Sequence, residues 1–188
     1  MKLLGSYQIN LEKQKVWEAL NDPNILKQAI PGCEEFKKDS ETKFIAKATN
    51  KIGPFNASFT GEIELKDLDP PNSYKIAGSG NSPVGFASGE AKVRLEDSEN
   101  GTKLIYEVDA NVGGKIAQVG SRLIDMTAKK MADIFFGKFS ELISPKENLE
   151  SESIPTNINS DSANNKINKK LIYIVGGVMV LAILYFVI

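Results

Sequence analysis

The run from Gly114 to Ile143 constrains the fold more than any other stretch of the chain. Its apolar positions, Ile116, Ala117, Ile124, Ala128, Met131, Ile134, Phe135, Phe139 and Leu142, recur at intervals of three, four and seven. At about 100° per residue they fall on one broad stripe. Gln118, Arg122, Asp125, Lys129, Asp133 and Ser140 fall on the other side. A helix of that length with one apolar face needs a cover, and the preceding sequence reads as one.

That cover is a set of short strands. Leu3 to Ile9 alternates, with Leu3, Tyr7 and Ile9 on one face and Gly5 between them. A short helix opening at Asn10 or Leu11 carries Val16, Trp17 and Leu20. Asp22-Pro23 starts a second, Asn24 to Ile30, with Asp as N-cap and Pro in the first turn; Pro31-Gly32 ends it. Five strand-like segments follow. Lys43 to Ile52 turns Phe44, Ala46, Ala48, Asn50 and Ile52 one way, and Phe55 to Leu65 does the same with Phe55, Ala57, Phe59, Gly61, Ile63 and Leu65. Ser73 to Gly80 is centred on Tyr74 and Ile76. Ala87, Ala91, Val93 and Leu95 share the next inner face, and Leu104, Tyr106, Val108, Ala110 and Val112 the last. Gly53-Pro54, Asp69-Pro70-Pro71-Asn72 and Asn100-Gly101 are turn sequences. Consecutive hairpins predict an antiparallel sheet, and only the long helix is large enough to cover its apolar side. The expected fold class is α+β: a curved antiparallel sheet gripping a long helix.

The composition changes at Ser144. Residues 144–170 hold mainly Ser, Asn, Glu, Lys and Pro, as a disordered polar linker does. Leu171 to Ile188 contains no charged residue. At about 1.5 Å per residue it reaches roughly 27 Å, enough to cross a bilayer core. The expected anchor runs from Leu171 to Ile188, with Tyr173 and Tyr185 suited to the two interfaces. Lys166, Lys169 and Lys170 precede it, and basic residues stay cytoplasmic. The predicted organisation is a ligand-binding domain over 1–143, the linker over 144–170 and a single-pass anchor over 171–188. The N-terminus lacks the apolar core of a signal peptide, which places the domain in the cytoplasm at the cytoplasmic membrane.

Composition narrows the chemistry. The 188 residues contain no histidine, which excludes Ser-His-Asp and Cys-His constellations and imidazole zinc sites within this chain. The net charge of −1 gives no reason to expect nucleic acid as a partner. A single cysteine, Cys33, precludes an internal disulfide, and Glu34 and Glu35 beside it disfavour its thiolate. Gly78-Ser79-Gly80 and Gly113-Gly114 lack the spacing of phosphate loops and read as turns. Arg122 and Asp125, three apart, are expected to form a surface ion pair, and the Lys138 stem to snorkel along the apolar stripe.

The inward positions include many small residues: Ala46, Ala48, Ala57, Gly61, Ala87, Gly89, Ala91, Ala110, Ala117, Gly120 and Ala128. A concave sheet facing small helix residues either approaches the helix closely or leaves room for a guest. For one residue close packing explains the choice; for the set, a pocket explains it better. The candidate lining is Ala46, Ala48, Ala57, Phe59, Gly61, Ala91, Tyr106, Ala117, Gly120, Ile124, Ala128, Met131 and Phe135. No catalytic or metal-binding residue is expected.

Several segments together resemble the CoxG family of CO dehydrogenase subunits. They are Val16-Trp17-Glu18, Ala29-Ile30-Pro31-Gly32-Cys33-Glu34, Lys51-Ile52-Gly53-Pro54-Phe55, Ser58-Phe59-Thr60-Gly61, Gly85-Phe86-Ala87-Ser88-Gly89 and the run Val112 to Asp125. The resemblance covers roughly residues 1 to 143. It implies the START-like, helix-grip (SRPBCC) fold, in which an apolar molecule is held between sheet and helix. It further implies a non-covalently bound quinone or membrane lipid as ligand, and a molybdenum hydroxylase of the CO dehydrogenase type as partner, recruited to the membrane. A ligand-free adaptor, or an assembly or maturation factor for such a hydroxylase, is the competing expectation. An aromatase- or cyclase-like enzyme would need a positioned acid or base, and no convergent candidate is visible in the sequence.

Overall fold

The computed structural model describes residues 1–144. The expected anchor, and all of the expected linker except Ser144, lie outside the described residues. Among those described, no helix is long and apolar enough to cross a membrane. The chain runs through β1 (Lys2–Ile9), α1 (Lys13–Ala19), α2 (Pro23–Ala29), β2 (Cys33–Lys38), β3 (Lys43–Ile52), β4 (Phe55–Asp69), β5 (Ser73–Ser82), β6 (Gly85–Ser98) and β7 (Gly101–Gly113). A 3-10 turn (Lys115–Val119) then leads into α3 (Ser121–Ile143). The strands form one seven-stranded antiparallel sheet in the order β1-β7-β6-β5-β4-β3-β2. The edges are therefore β1 and β2, which are joined through α1 and α2. Helix α2 packs on both α3 and β2.

Local chemistry accounts for these elements. Asp22 caps α2 by accepting the Asn24 N–H at 2.8 Å, with Pro23 at the first helical position. The β6–β7 hairpin closes around Glu99 and Asn100, with Ser98 paired to Gly101. Gly101 sits at φ 113 with the β1–α1 junction against it, where a side chain would collide with the Ile9 carbonyl. Beside it Thr102, fully buried, donates its hydroxyl to the Leu11 carbonyl at 2.7 Å, so its polar atom is satisfied. The alternation expected of β3, β4, β6 and β7 is realised: Phe44, Ala46, Ala48, Ile52, Phe59, Ile63 and Leu104 are all fully buried.

Beyond Gly78-Ser79-Gly80, which lies inside strand β5 rather than in a turn, four features differ from expectation. The Gly114–Ile143 stretch is not one helix, because the 3-10 turn ends at Gly120 (φ 89, ψ 145) and α3 begins at Ser121. Gly120 supplies a backbone shape that residues with a Cβ rarely adopt, and the helix phase restarts after it. As a result Ile134 is 45% exposed, while Ala132 and Phe136 are buried in its place. Second, Cys33–Lys38 is a strand that the charged sequence concealed; a bulge between Cys33 and Glu35 breaks its alternation. Third, Arg122 and Asp125 form no ion pair among the described residues: Asp125 is half-buried and its Oδ1 has no hydrogen-bond partner. Lys138 does not snorkel; it is exposed and pairs with Glu141 at 3.3 Å.

Candidate functional site

The strand registers gather the small inward residues into a band across the sheet. Ala46 pairs with Gly61, Gly61 with Gly80, and Gly80 with Ala87, giving one row over four strands. The adjoining row continues through Gly78, Gly89 and Ala110, flanked by Ile63 and Phe44. A row without side chains is a trough in the inner surface of a sheet, because each neighbouring residue stands several ångströms taller. Ala48 lies beside Phe59, and Ala91 lies one row further along, between Ile76 and Val108.

Helix α3 turns Ile124, Ala128, Met131, Phe135 and Phe139 inward, all buried. Its aromatics extend into two stacks. Phe135 lies 5.7 Å from Phe139 between centroids and edge-on to Phe136 at 5.3 Å. Phe136 in turn stacks on Tyr7 at 3.7 Å and on Tyr106 at 5.9 Å, closing the seam between α3 and β1.

Of the residues expected to line a pocket, Ala46, Ala48, Ala57, Phe59, Ala91, Tyr106, Ile124, Ala128, Met131 and Phe135 are buried on the inner side. Gly61 is half-buried on the same face. The break at Gly120 removes the other two from the helix stripe. Ala117 is half-buried on the 3-10 turn, and Gly120 is exposed with open space where a Cβ would stand. Ile116, fully buried, is the residue of that turn that reaches the core.

Polar groups at this site are few. Tyr74 on β5 is 2% exposed, lies edge-on to Trp17 at 5.4 Å, and its hydroxyl has no hydrogen-bond partner among the described residues. Burial raises its pKa, so the phenol stays protonated and its O–H is a free donor inside an apolar interior. The sequence marks Tyr74 only as a strand centre; nothing in it reveals an unsatisfied hydroxyl. At the α3–β1 seam the Tyr7 hydroxyl donates to Asp133 Oδ1. Burial first, and then that bond to a carboxylate, raise the Tyr7 pKa; burial also raises that of Tyr106.

Cys33 is half-buried, donates weakly to the Glu35 carbonyl at 3.5 Å, and its thiol is pushed up to about 11, chiefly by burial. It is a packed side chain rather than a nucleophile. Among the described residues no group of three or more His, Cys, Asp or Glu could hold a metal ion. Grooves on the convex face are lined by charge, one of about 370 Å³ by Lys43, Glu62, Glu64 and Glu90 and one of about 260 Å³ by Asp67, Lys75, Lys92 and Arg94. Neither suits an apolar guest. The inner face therefore offers a buried apolar surface, with the unpartnered Tyr74 hydroxyl carried on β5 two register rows from the Gly78 row.

The sequence model of the CoxG family of carbon monoxide dehydrogenase subunits matches residues 5–144. None of the curated proteins compared with the chain matches it. Among solved structures, a conserved protein of Geobacillus kaustophilus is similar at 31% identity and a TM-score of 0.73, over 76% of this chain and 95% of that one. A Mycobacterium smegmatis protein aligns at 14% identity and a TM-score of 0.58, over 78% and 93% of the two chains. An uncharacterised Rhizobium leguminosarum protein aligns at 14% and 0.57, over 76% and 93%. The last two likenesses carry the fold alone.

Proposed function

Because this chain belongs to the CoxG family of carbon monoxide dehydrogenase subunits, with a START-like helix-grip fold suited to ligand binding or to an adaptor role, we propose that it is a non-catalytic, membrane-tethered carrier of a quinone. The carrier receives the isoprenoid part of its ligand against the trough of small residues. It docks a CO dehydrogenase-type molybdenum hydroxylase and links that enzyme to the quinone pool. The charge-free stretch 171–188 supplies the tether, with the folded domain on the cytoplasmic side.

The observation that carries the ligand reading is the Tyr74 hydroxyl. A buried donor without an acceptor costs stability, and such groups are rare in folded proteins. A quinone brings two carbonyl acceptors on an otherwise apolar body. One of them bonded to Tyr74 would satisfy the group and recover that cost only when ligand is bound. The adaptor alternative assigns the hydroxyl no function.

The test uses the full chain in detergent. Organic extraction is expected to release quinone from the purified protein, and added ubiquinone-1 to saturate one site. Tyr74→Phe should weaken ubiquinone-1 up to about tenfold, the worth of one hydrogen bond, while leaving the unliganded fold as stable or up to about 1 kcal/mol more so. Finding no quinone in the extract and no saturable binding would overturn the carrier and leave the adaptor.

A further inference from the structure

Three segments meet at the N-terminal end of α3: the β3–β4 turn, the β5–β6 turn, and the 3-10 turn with the first residues of α3. A Cβ on Gly53 would touch Leu123 Cδ2 at 3.1 Å and Val119 Cγ1 at 3.4 Å. The Ile116 N–H bonds to the Val84 carbonyl at 2.9 Å, and Gly114 (φ 87) lies flat against Gly85. Together they form one tip.

Its composition departs from the rest of the molecule. Residues 51–56, 81–86 and 112–124 contain Lys51, Lys115 and Arg122, all exposed, and not one carboxylate, in a chain whose net charge is −1. The nearest acid on α3, Asp125, is half-buried. Apolar side chains stand out between the cations: Phe86 at 45% exposure over Gly113, Leu123 at 36% and, one turn on, Met126 at 62%. Pro54 and Pro83 are exposed at the two hairpin turns.

We propose that this tip is a docking surface for an anionic lipid bilayer, with Phe86, Leu123 and Met126 entering the headgroup boundary and Lys51, Lys115 and Arg122 facing lipid phosphates. Charge complementarity selects the occupant. Basic residues beside an anionic leaflet strengthen binding about fivefold each, and apolar side chains gain only if the surface they meet is itself apolar below its headgroups. A protein partner would have to match three cations with carboxylates while also burying three separate apolar side chains. A bilayer provides both without specific fitting. The chain itself keeps a membrane within reach, since about 27 residues separate Ile143 from the charge-free stretch and span at most roughly 90 Å.

This inference rests on the membrane placement proposed above, not on the ligand. Full-length protein is reconstituted into phosphatidylcholine vesicles with and without about 30% phosphatidylglycerol, carrying brominated acyl chains. Single Phe86→Trp and Met126→Trp variants report the tip, and Ile45→Trp, on the exposed side of β3, serves as the control. Both tip tryptophans are expected to blue-shift and to be quenched by bromolipid at least threefold more than the control, only with anionic lipid. Lys115→Glu with Arg122→Glu should return them to the control level. Failure of the chain to remain with vesicles would overturn the tether itself. Retention with tip quenching equal to the control, or independent of lipid charge, would overturn the docking surface alone. A blue shift without quenching would place a protein there and overturn it equally. Quinone extraction is read separately and does not bear on this outcome.

Discussion

Gly5 interrupts an otherwise regular alternation in β1, and the phenol of Tyr106 is the reason: a Cβ at position 5 would occupy the space of its ring and hydroxyl. Tyr106 is opposite Gly5 in the β1–β7 register, and both lie beside the Tyr7–Phe136 stack. Gly5→Ala should therefore displace an aromatic ring and cost about 1–3 kcal/mol in a urea titration, a loss that Gly5→Ala with Tyr106→Leu would largely restore. Cys33 gives a sharper reading. With its thiol near 11, only about one molecule in a thousand carries a thiolate at pH 8. Alkylation of the native protein should be slow at pH 8 and rise about tenfold per pH unit up to roughly pH 11; a rate that levels off near pH 8.5 would show an ordinary exposed thiol. At this scale the sequence exposes size and polarity but not satisfaction. It shows that Tyr74 faces inward, since the alternation of β5 requires it. Whether its hydroxyl finds an acceptor depends on residues far away in the chain.

Periodicity works within an element and fails across a break in one. The inner stripe of α3 is legible at Ile124, Ala128, Met131, Phe135 and Phe139 because these share a single uninterrupted phase. Carrying that phase back through Gly120 widens the inferred stripe, admits Ile134 and leaves out Ala132 and Phe136. Glycine in a helix interior costs about 1 kcal/mol relative to alanine, and Gly120 here uses the left-handed side of φ instead of enduring that cost. Gly120→Ala meets no neighbour within 4 Å, so its penalty is backbone strain alone. The expected loss is about 1–3 kcal/mol by thermal melt, and Gly120→Asn should lose about as much, because ψ 145 lies outside the αL region that Asn tolerates. Strand β2 escapes detection for a different reason. Glu34 projects from its bulge to pair with Lys47 at 2.8 Å and to accept from the Thr49 hydroxyl at 2.7 Å. A polar edge of that kind carries no apolar alternation.

Over the whole molecule, burial ties three phenols to the folded state. Tyr7, Tyr74 and Tyr106 all have pKa values raised by burial. Their protonated forms are favoured in the fold, so this stability is complete below the unfolded tyrosine pKa near 10 and is lost as pH rises beyond it. Alkaline unfolding followed at 295 nm should show these three ionising together with loss of the fold, not ahead of it. Packing tests the interior in the same way. Ala128 is fully buried on α3 above the sheet. Ala128→Phe in a roomy interior should keep the melting temperature within a few degrees and abolish ubiquinone-1 binding; in a filled one it should cost about 1–3 kcal/mol.

Helix α3 joins the tip at its first turn to the chain's exit at Ile143, and its 23 residues separate the two by about 34 Å. In the membrane placement proposed above, the molecule is moored by one end and touches down with the other. For a body leashed in this way, how often the far end finds the surface depends on the slack in the line as well as on its own adhesion. Under that proposal, splicing residues out of 145–170 should tune that frequency while leaving the sequence of the described domain, 1–144, untouched.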